Sequence, residues 1–110
     1  MATVFNPCEV VPAERSVAIG SNAGQYYQAI DTIAIGTSAG LSGQAANAVA
    51  IGNLAGHTGQ ATDAVAIGYL AGSSTQGQDC VAIGQQCGQT TQGIRSIAIG
   101  GDADRDWETQ

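Results

Sequence analysis

The sequence predicts an all-β fold, a parallel β-solenoid (a β-roll, expected to be left-handed) of 16-residue coils, on three observations. First, a four-residue word recurs six times at one spacing: Val17-Ala18-Ile19-Gly20, Ile33-Ala34-Ile35-Gly36, Val49-Ala50-Ile51-Gly52, Val65-Ala66-Ile67-Gly68, Val81-Ala82-Ile83-Gly84 and Ile97-Ala98-Ile99-Gly100. A fixed period of this size marks a stacked repeat architecture. Second, each full repeat carries Gly at two fixed places, the fourth and the eighth, and each would cost about 1 kcal/mol inside a helix. Third, one Trp, one Phe and three Tyr stand against 16 Gly in 110 residues. Too few bulky side chains are present to fill a conventional core at protein density.

Within a coil, counting from the β-branched residue, Val/Ile-Ala-Ile reads as a strand: β-branched residues flank a small one with period-2 alternation. Gly at position 4 supplies the freedom a corner needs. The Ala-Gly or Cys-Gly of positions 7 and 8 reads as a second short strand or bend, and positions 9 to 15, rich in Gly, Ser, Thr, Asn and Gln, complete the return. Stacked at about 4.8 Å per coil, five to six coils span about 25–30 Å. Alternation sends positions 1 and 3 to one side and Ala to the other. The expectation is a dry interior column of Val and Ile, with Ala18, Ala34, Ala50, Ala66, Ala82 and Ala98 facing outward. An outward strip that never varies from Ala suggests a close-packed neighbour, so these six residues are the expected interface between protomers around a symmetry axis. A narrow core on a short chain also favours association. The competing reading of the same strip is a flat ice- or surface-binding face on a monomer.

The other columns read as structural. Gln28, Gln44, Gln60, Gln76 and Gln92 occupy position 12 and can run amide-to-amide bonds along the axis; the alternative is a carbohydrate-contacting row. Asp31, Asn47, Asp63, Asp79 and Arg95 occupy position 15, where Asp and Asn favour turns, and the Gly-Gly-x-Gly-x-Asp pattern of calcium-binding solenoids is absent. Cys87 falls in an otherwise Ala slot and Cys80 in a slot of Thr, Ala and Ser, so both are expected as buried packing residues. With Cys8 they form neither a metal-ligand pattern nor an even disulfide framework.

Composition limits function. A net charge of −6 with three Arg and no Lys argues against nucleic acid and against anionic membrane surfaces. No apolar run is long enough to span a bilayer, and the N-terminal Met1–Cys8 lacks the basic start and apolar stretch of a secretory signal. His57 is the single His, in a variable slot, and no Ser-His-Asp, Cys-His or paired-carboxylate arrangement can be assembled. No catalytic residue, cofactor or metal is expected.

The echoes Ser16-Val17-Ala18-Ile19-Gly20, Ala48-Val49-Ala50-Ile51-Gly52 and Ser96-Ile97-Ala98-Ile99-Gly100 resemble the head repeats of YadA-like trimeric autotransporter adhesins. They are also similar to Ala-Ile-Gly repeats of phage and large-virus tail fibres and spikes. The resemblance covers roughly residues 16–100 and implies a β-roll, three chains around one axis and attachment to a host surface, whether by binding a surface glycan or protein or by serving as a rigid spacer. The adhesin repeat is about 14 residues rather than 16. No leader, stalk or anchor is visible, which favours a virion fibre or spike over a cell surface. Residues 1–16 and 101–110 read as caps flanking solenoid 17–100, with Phe5, Pro7 and Pro12 closing one end and Trp107 the other. Receptor contacts are expected where repeats differ: Tyr26, Tyr27, His57, Tyr69 and Trp107.

Overall fold

The computed structural model describes residues 15–101 and the backbone of the strand Thr3–Phe5. Ten three-residue strands follow in chain order: β1 (Thr3–Phe5), β2 (Val17–Ile19), β3 (Ile33–Ile35), β4 (Val49–Ile51), β5 (Thr58–Gln60), β6 (Val65–Ile67), β7 (Ser74–Gln76), β8 (Val81–Ile83), β9 (Thr90–Gln92) and β10 (Ile97–Ile99). Every Val/Ile-Ala-Ile word is a strand. These stack in parallel with β1 into one seven-stranded sheet, in the order β1-β2-β3-β4-β6-β8-β10. The register matches like with like: Val49 with Val65, Ala50 with Ala66, Ile51 with Ile67. Each coil bonds both neighbours, as when Val49 N donates to Ala64 O at 2.9 Å and Gly52 N to Ile35 O at 2.7 Å. The chain is a parallel β-solenoid of about five 16-residue coils.

The second wall differs from expectation. It is formed by positions 10 to 12, not 7 and 8, as the three-stranded sheet β5-β7-β9. Single parallel bridges from Tyr26 to Ser42 and from Ser42 to Thr58 extend it through the earlier coils. Positions 4 to 8 are the turn that joins the walls. Two glycines make that turn possible. Gly52 has φ +127, and a Cβ there would lie 2.8 Å from the carbonyl oxygen of Gly68 in the next coil. Gly56 has φ +52, and its Cβ would lie 2.7 Å from the Gln60 amide oxygen.

The interior reverses the expected sidedness. Ala18, Ala34, Ala50, Ala66, Ala82 and Ala98 are at most 2% exposed and form the core with Ala23, Ala39, Ala55, Ala71 and Cys87. Val and Ile of positions 1 and 3 face outward, half-buried or exposed, with Ile97 at 49% and Ile99 at 52%. The reason is width. A Cβ on Gly56 would sit 3.1 Å from the Ala50 methyl, so the lumen at position 2 has no room beyond a methyl group.

The Gln column lines the remaining lumen, and Gln44, Gln60, Gln76 and Gln92 are buried. Each caps main-chain carbonyls of its own coil: Gln76 Nε2 donates to Val65 O at 2.7 Å, and Gln92 Nε2 to Val81 O at 2.9 Å and Ser96 O at 3.3 Å. Amide-to-amide bonds run from Gln28 to Gln44 (3.1 Å), Gln60 to Gln76 (3.2 Å) and Gln76 to Gln92 (3.2 Å). The structural reading of this column holds, and a row buried in this way is closed to carbohydrate. Cys80 and Cys87 are buried free thiols, as their slots imply.

At the N-terminal end, β1 pairs Thr3 with Val17 and Phe5 with Ile19, an offset of 14 residues where the other coils have 16. The first segment therefore continues the sheet by one rung, at the place where the sequence suggested only an aperiodic cap. Pro7, Pro12, Trp107 and the proposed C-terminal cap beyond Gly101 lie outside the described residues.

Candidate functional site

The outward face of the seven-stranded sheet is a regular surface that repeats the same residue types in every coil. Val17, Ile33, Val49, Val65, Val81 and Ile97 form one column, and Ile19, Ile35, Ile51, Ile67, Ile83 and Ile99 the other. Strand alternation places both columns on the side opposite the buried Ala. Parallel in-register pairing keeps them straight, so each coil adds two β-branched side chains to a flat apolar strip. The Ala residues are thus corrected as the protomer interface: their methyl groups are enclosed by their own chain and cannot touch another. The same burial leaves an ice- or surface-binding Ala face without a surface.

A polar column runs at position 15, where Asp31, Asn47, Asp63, Asp79 and Arg95 all have φ between 54 and 62°, as has Arg15 one coil earlier at 57°. Short polar side chains tolerate this left-handed conformation best. Arg15 Nε donates to Asp31 Oδ1 at 2.7 Å and Nη2 to Oδ2 at 3.1 Å. This bidentate pair holds the Asp31 carboxyl below, and the Arg15 guanidinium above, the ordinary range. Asn47 Nδ2 donates to Asp63 Oδ1 at 3.0 Å. The column is a register-matching edge. Sequence reasoning missed the Arg15–Asp31 pair, although their spacing of 16 was its signal. Among the described residues, no group of three or more His, Cys, Asp or Glu could hold a metal ion, and no helix is long and apolar enough to cross a membrane.

The expected receptor contacts do not gather into one place. Tyr26 and Tyr27 are 50% and 86% exposed on the position 10–12 wall of the first coil. His57 sits at the edge of that wall two coils on, with Nδ1 2.9 Å from Thr58 Oγ1. Tyr69 is 46% exposed but follows the Gly68 corner at the end of β6, in the turn of the fourth coil. Trp107 lies outside the described residues.

Comparison with known families finds the YadA head domain repeat, whose model matches in two copies at residues 10–23. The match contains the first word, Val17-Ala18-Ile19-Gly20, and supports the YadA-like resemblance read from the sequence; it does not extend to the phage and large-virus fibres. No curated protein and no solved structure matches the chain.

Proposed function

We propose that the chain is an adhesin-type structural module that works as a homotrimer, three copies packing their Val/Ile faces around a common axis and presenting the remaining walls at a host-facing surface. One observation carries this reading: twelve β-branched side chains lie in two straight columns on the outside of a coil whose lumen is already filled. Contiguous exposed apolar surface of this regularity marks an interface, and closed cyclic symmetry is the usual way for identical chains to bury it. The YadA-type repeat match supports the same assembly, since heads built from such repeats are trimeric, and it supports a surface-exposed location. The role is attachment or rigid spacing rather than catalysis.

Light scattering on the purified full chain tests it. The expected species is about 33 kDa, three chains of 11.0 kDa. A stable monomer at micromolar concentration would refute the assembly.

A further inference from the structure

We propose that a polar seam flanks the apolar strip of the trimer, with position 15 of one protomer meeting position 5 of the next and Tyr69 Oη donating to the Asp63 carboxylate across it. The seam rests on the assembly proposed above and deepens it, by naming which edges meet and at what height.

The Val/Ile face has two unlike edges. Before each strand, position 15 offers carboxylates at Asp63 and Asp79, both exposed. After each strand, position 5 carries Ser21, Thr37, Asn53, Tyr69 and Gln85. All five are exposed and uncharged, and each can donate a hydrogen bond. Main-chain bonds hold both columns in line: Asp79 N donates to Thr62 O at 3.1 Å on one edge, and Gln86 N to Tyr69 O at 2.7 Å on the other. Neither Tyr69 nor Gln85 makes a side-chain hydrogen bond to another described residue. Asp63 accepts from Asn47 through Oδ1 alone, so its Oδ2 is left for a donor from outside the chain.

Closed cyclic symmetry decides which edges meet. A face turned toward a three-fold axis brings one edge of each copy against the opposite edge of the next, a heterologous contact. Rotation adds no axial shift, so residues meet at their own height in the stack. At about 4.8 Å of rise per coil, Tyr69 stands about 2 Å above Asp63, and Gln85 the same distance above Asp79. Each level then pairs matching chemistry: phenol with carboxylate at Tyr69 and Asp63, amide with carboxylate at Gln85 and Asp79, amide with amide at Asn53 and Asn47. Tyr69 is the bulkiest residue of its column, 46% exposed in the single chain. Its ring can lie over the rim of the Ile column while its hydroxyl reaches the neighbour, the division of apolar body and polar tip that suits Tyr to interfaces. An antiparallel pairing of the same faces would instead set carboxylate edge against carboxylate edge.

Disulfide trapping in the full chain tests the seam. Within one chain β6 lies between positions 63 and 69 and holds them at opposite edges, beyond the roughly 7 Å between Cα atoms that a disulfide can span. Asp63→Cys combined with Tyr69→Cys therefore closes only between chains. Oxidation with copper–phenanthroline is expected to give a reducible covalent species of about 33 kDa, three chains of 11.0 kDa. The pair Asp31→Cys with Tyr69→Cys, offset by about 11 Å in height, is expected to stay at one chain, and the parent with its native thiols sets the background. Tyr69→Phe, which removes only the hydroxyl, is expected to lower the Tm of the trimer by about 2 °C or more, whereas a hydroxyl without an interchain partner predicts no change. Light scattering on the same samples separates the two readings. If the parent is a trimer, then no covalent trimer from the matched pair, equal trapping of both pairs, or an unchanged Tm in Tyr69→Phe would each overturn the seam alone. A monomeric parent refutes the assembly and the seam with it.

Discussion

Gly56 and Gly52 serve the same turn for different physical reasons, and substitution separates them. At Gly56 an added Cβ meets the Gln60 amide, a side chain that can move. Gly56→Ala therefore incurs the left-handed penalty of about 1–2 kcal/mol and leaves displaced buried amide bonds at about 1–3 kcal/mol. At Gly52 the Cβ meets the main-chain carbonyl of Gly68, which the ladder holds in place. Thermal unfolding followed by circular dichroism should show a folded Gly56→Ala with Tm lowered by ten degrees or more, at about 4–8 °C per kcal/mol for a domain of this size. Gly52→Ala should be lower still or unfolded; the reverse order would contradict the steric account. The Arg15–Asp31 pair makes a pH prediction. Hydrogen bonds from Arg15 depress the folded carboxyl pKa, so the associated stability is present above about pH 4 and disappears as pH falls through the depressed value. Asp31→Asn, a residue that Asn47 shows the column accepts, should flatten that acid limb and leave neutral-pH stability nearly unchanged, because both partners are solvent-exposed. An acid limb identical in the variant would assign the dependence to other carboxylates.

Among the elements, the Gln ladder joins the two walls across the lumen. Gln76 accepts from Gln60 and donates to Val65 O and Gln92 Oε1, so Gln76→Leu removes three buried hydrogen bonds at about 1 kcal/mol each and takes from Gln92 Oε1 its ladder donor, while Gln60 Nε2 keeps Val49 O and Ala64 O. Gln28 is only half-buried and has one such bond, to Gln44. Urea denaturation should place Gln76→Leu about 3 kcal/mol or more below the parent and Gln28→Leu within about 1 kcal/mol; equal losses would mean that the ladder contributes no more inside than at its end. This column was legible from sequence because one identity kept at a fixed spacing in every coil requires the same enclosed environment in every coil. The strand word and the Gly corner were equally plain. The second wall was not, since Tyr-Tyr, Ser-Gly, Thr-Gly, Ser-Thr and Thr-Thr at positions 10 and 11 mix β-favouring Tyr and Thr with Ser and Gly and only Gln of position 12 is constant. Nor was β1, whose Thr-Val-Phe lacks the word and pairs at an offset of 14. Sidedness failed for a physical reason: alternation defines two faces without saying which is inside, and the bulky-inside rule presumes a lumen wide enough for bulk. The invariance of Ala was the better guide, because a space that admits only a methyl group cannot vary.

For the whole molecule, that inversion turns the apolar columns from core into outer surface and, under the proposed assembly, separates folding from association. A single coil stack fills its lumen with Ala, Cys and Gln, so its fold does not require Val or Ile at positions 1 and 3, whereas a trimer does. Ile51→Asp with Ile67→Asp places two carboxylates at adjacent rungs in the middle of the proposed interface. Closing the trimer would then bury six charges near its axis, at several kcal/mol each after relaxation. The expected product is a monomer of 11.0 kDa by light scattering that keeps the parent β-sheet circular dichroism. Its Tm should fall and lose the concentration dependence that assembly confers. Ala50→Val is the converse change: it adds bulk to a lumen already in contact at 3.1 Å from the position of a Cβ on Gly56, and it should unfold the coil without yielding a folded monomer. A trimer that survives the paired Asp substitutions would move the interface off the Val/Ile face, and a well-folded Ala50→Val protein would restore the Ala column to the outside.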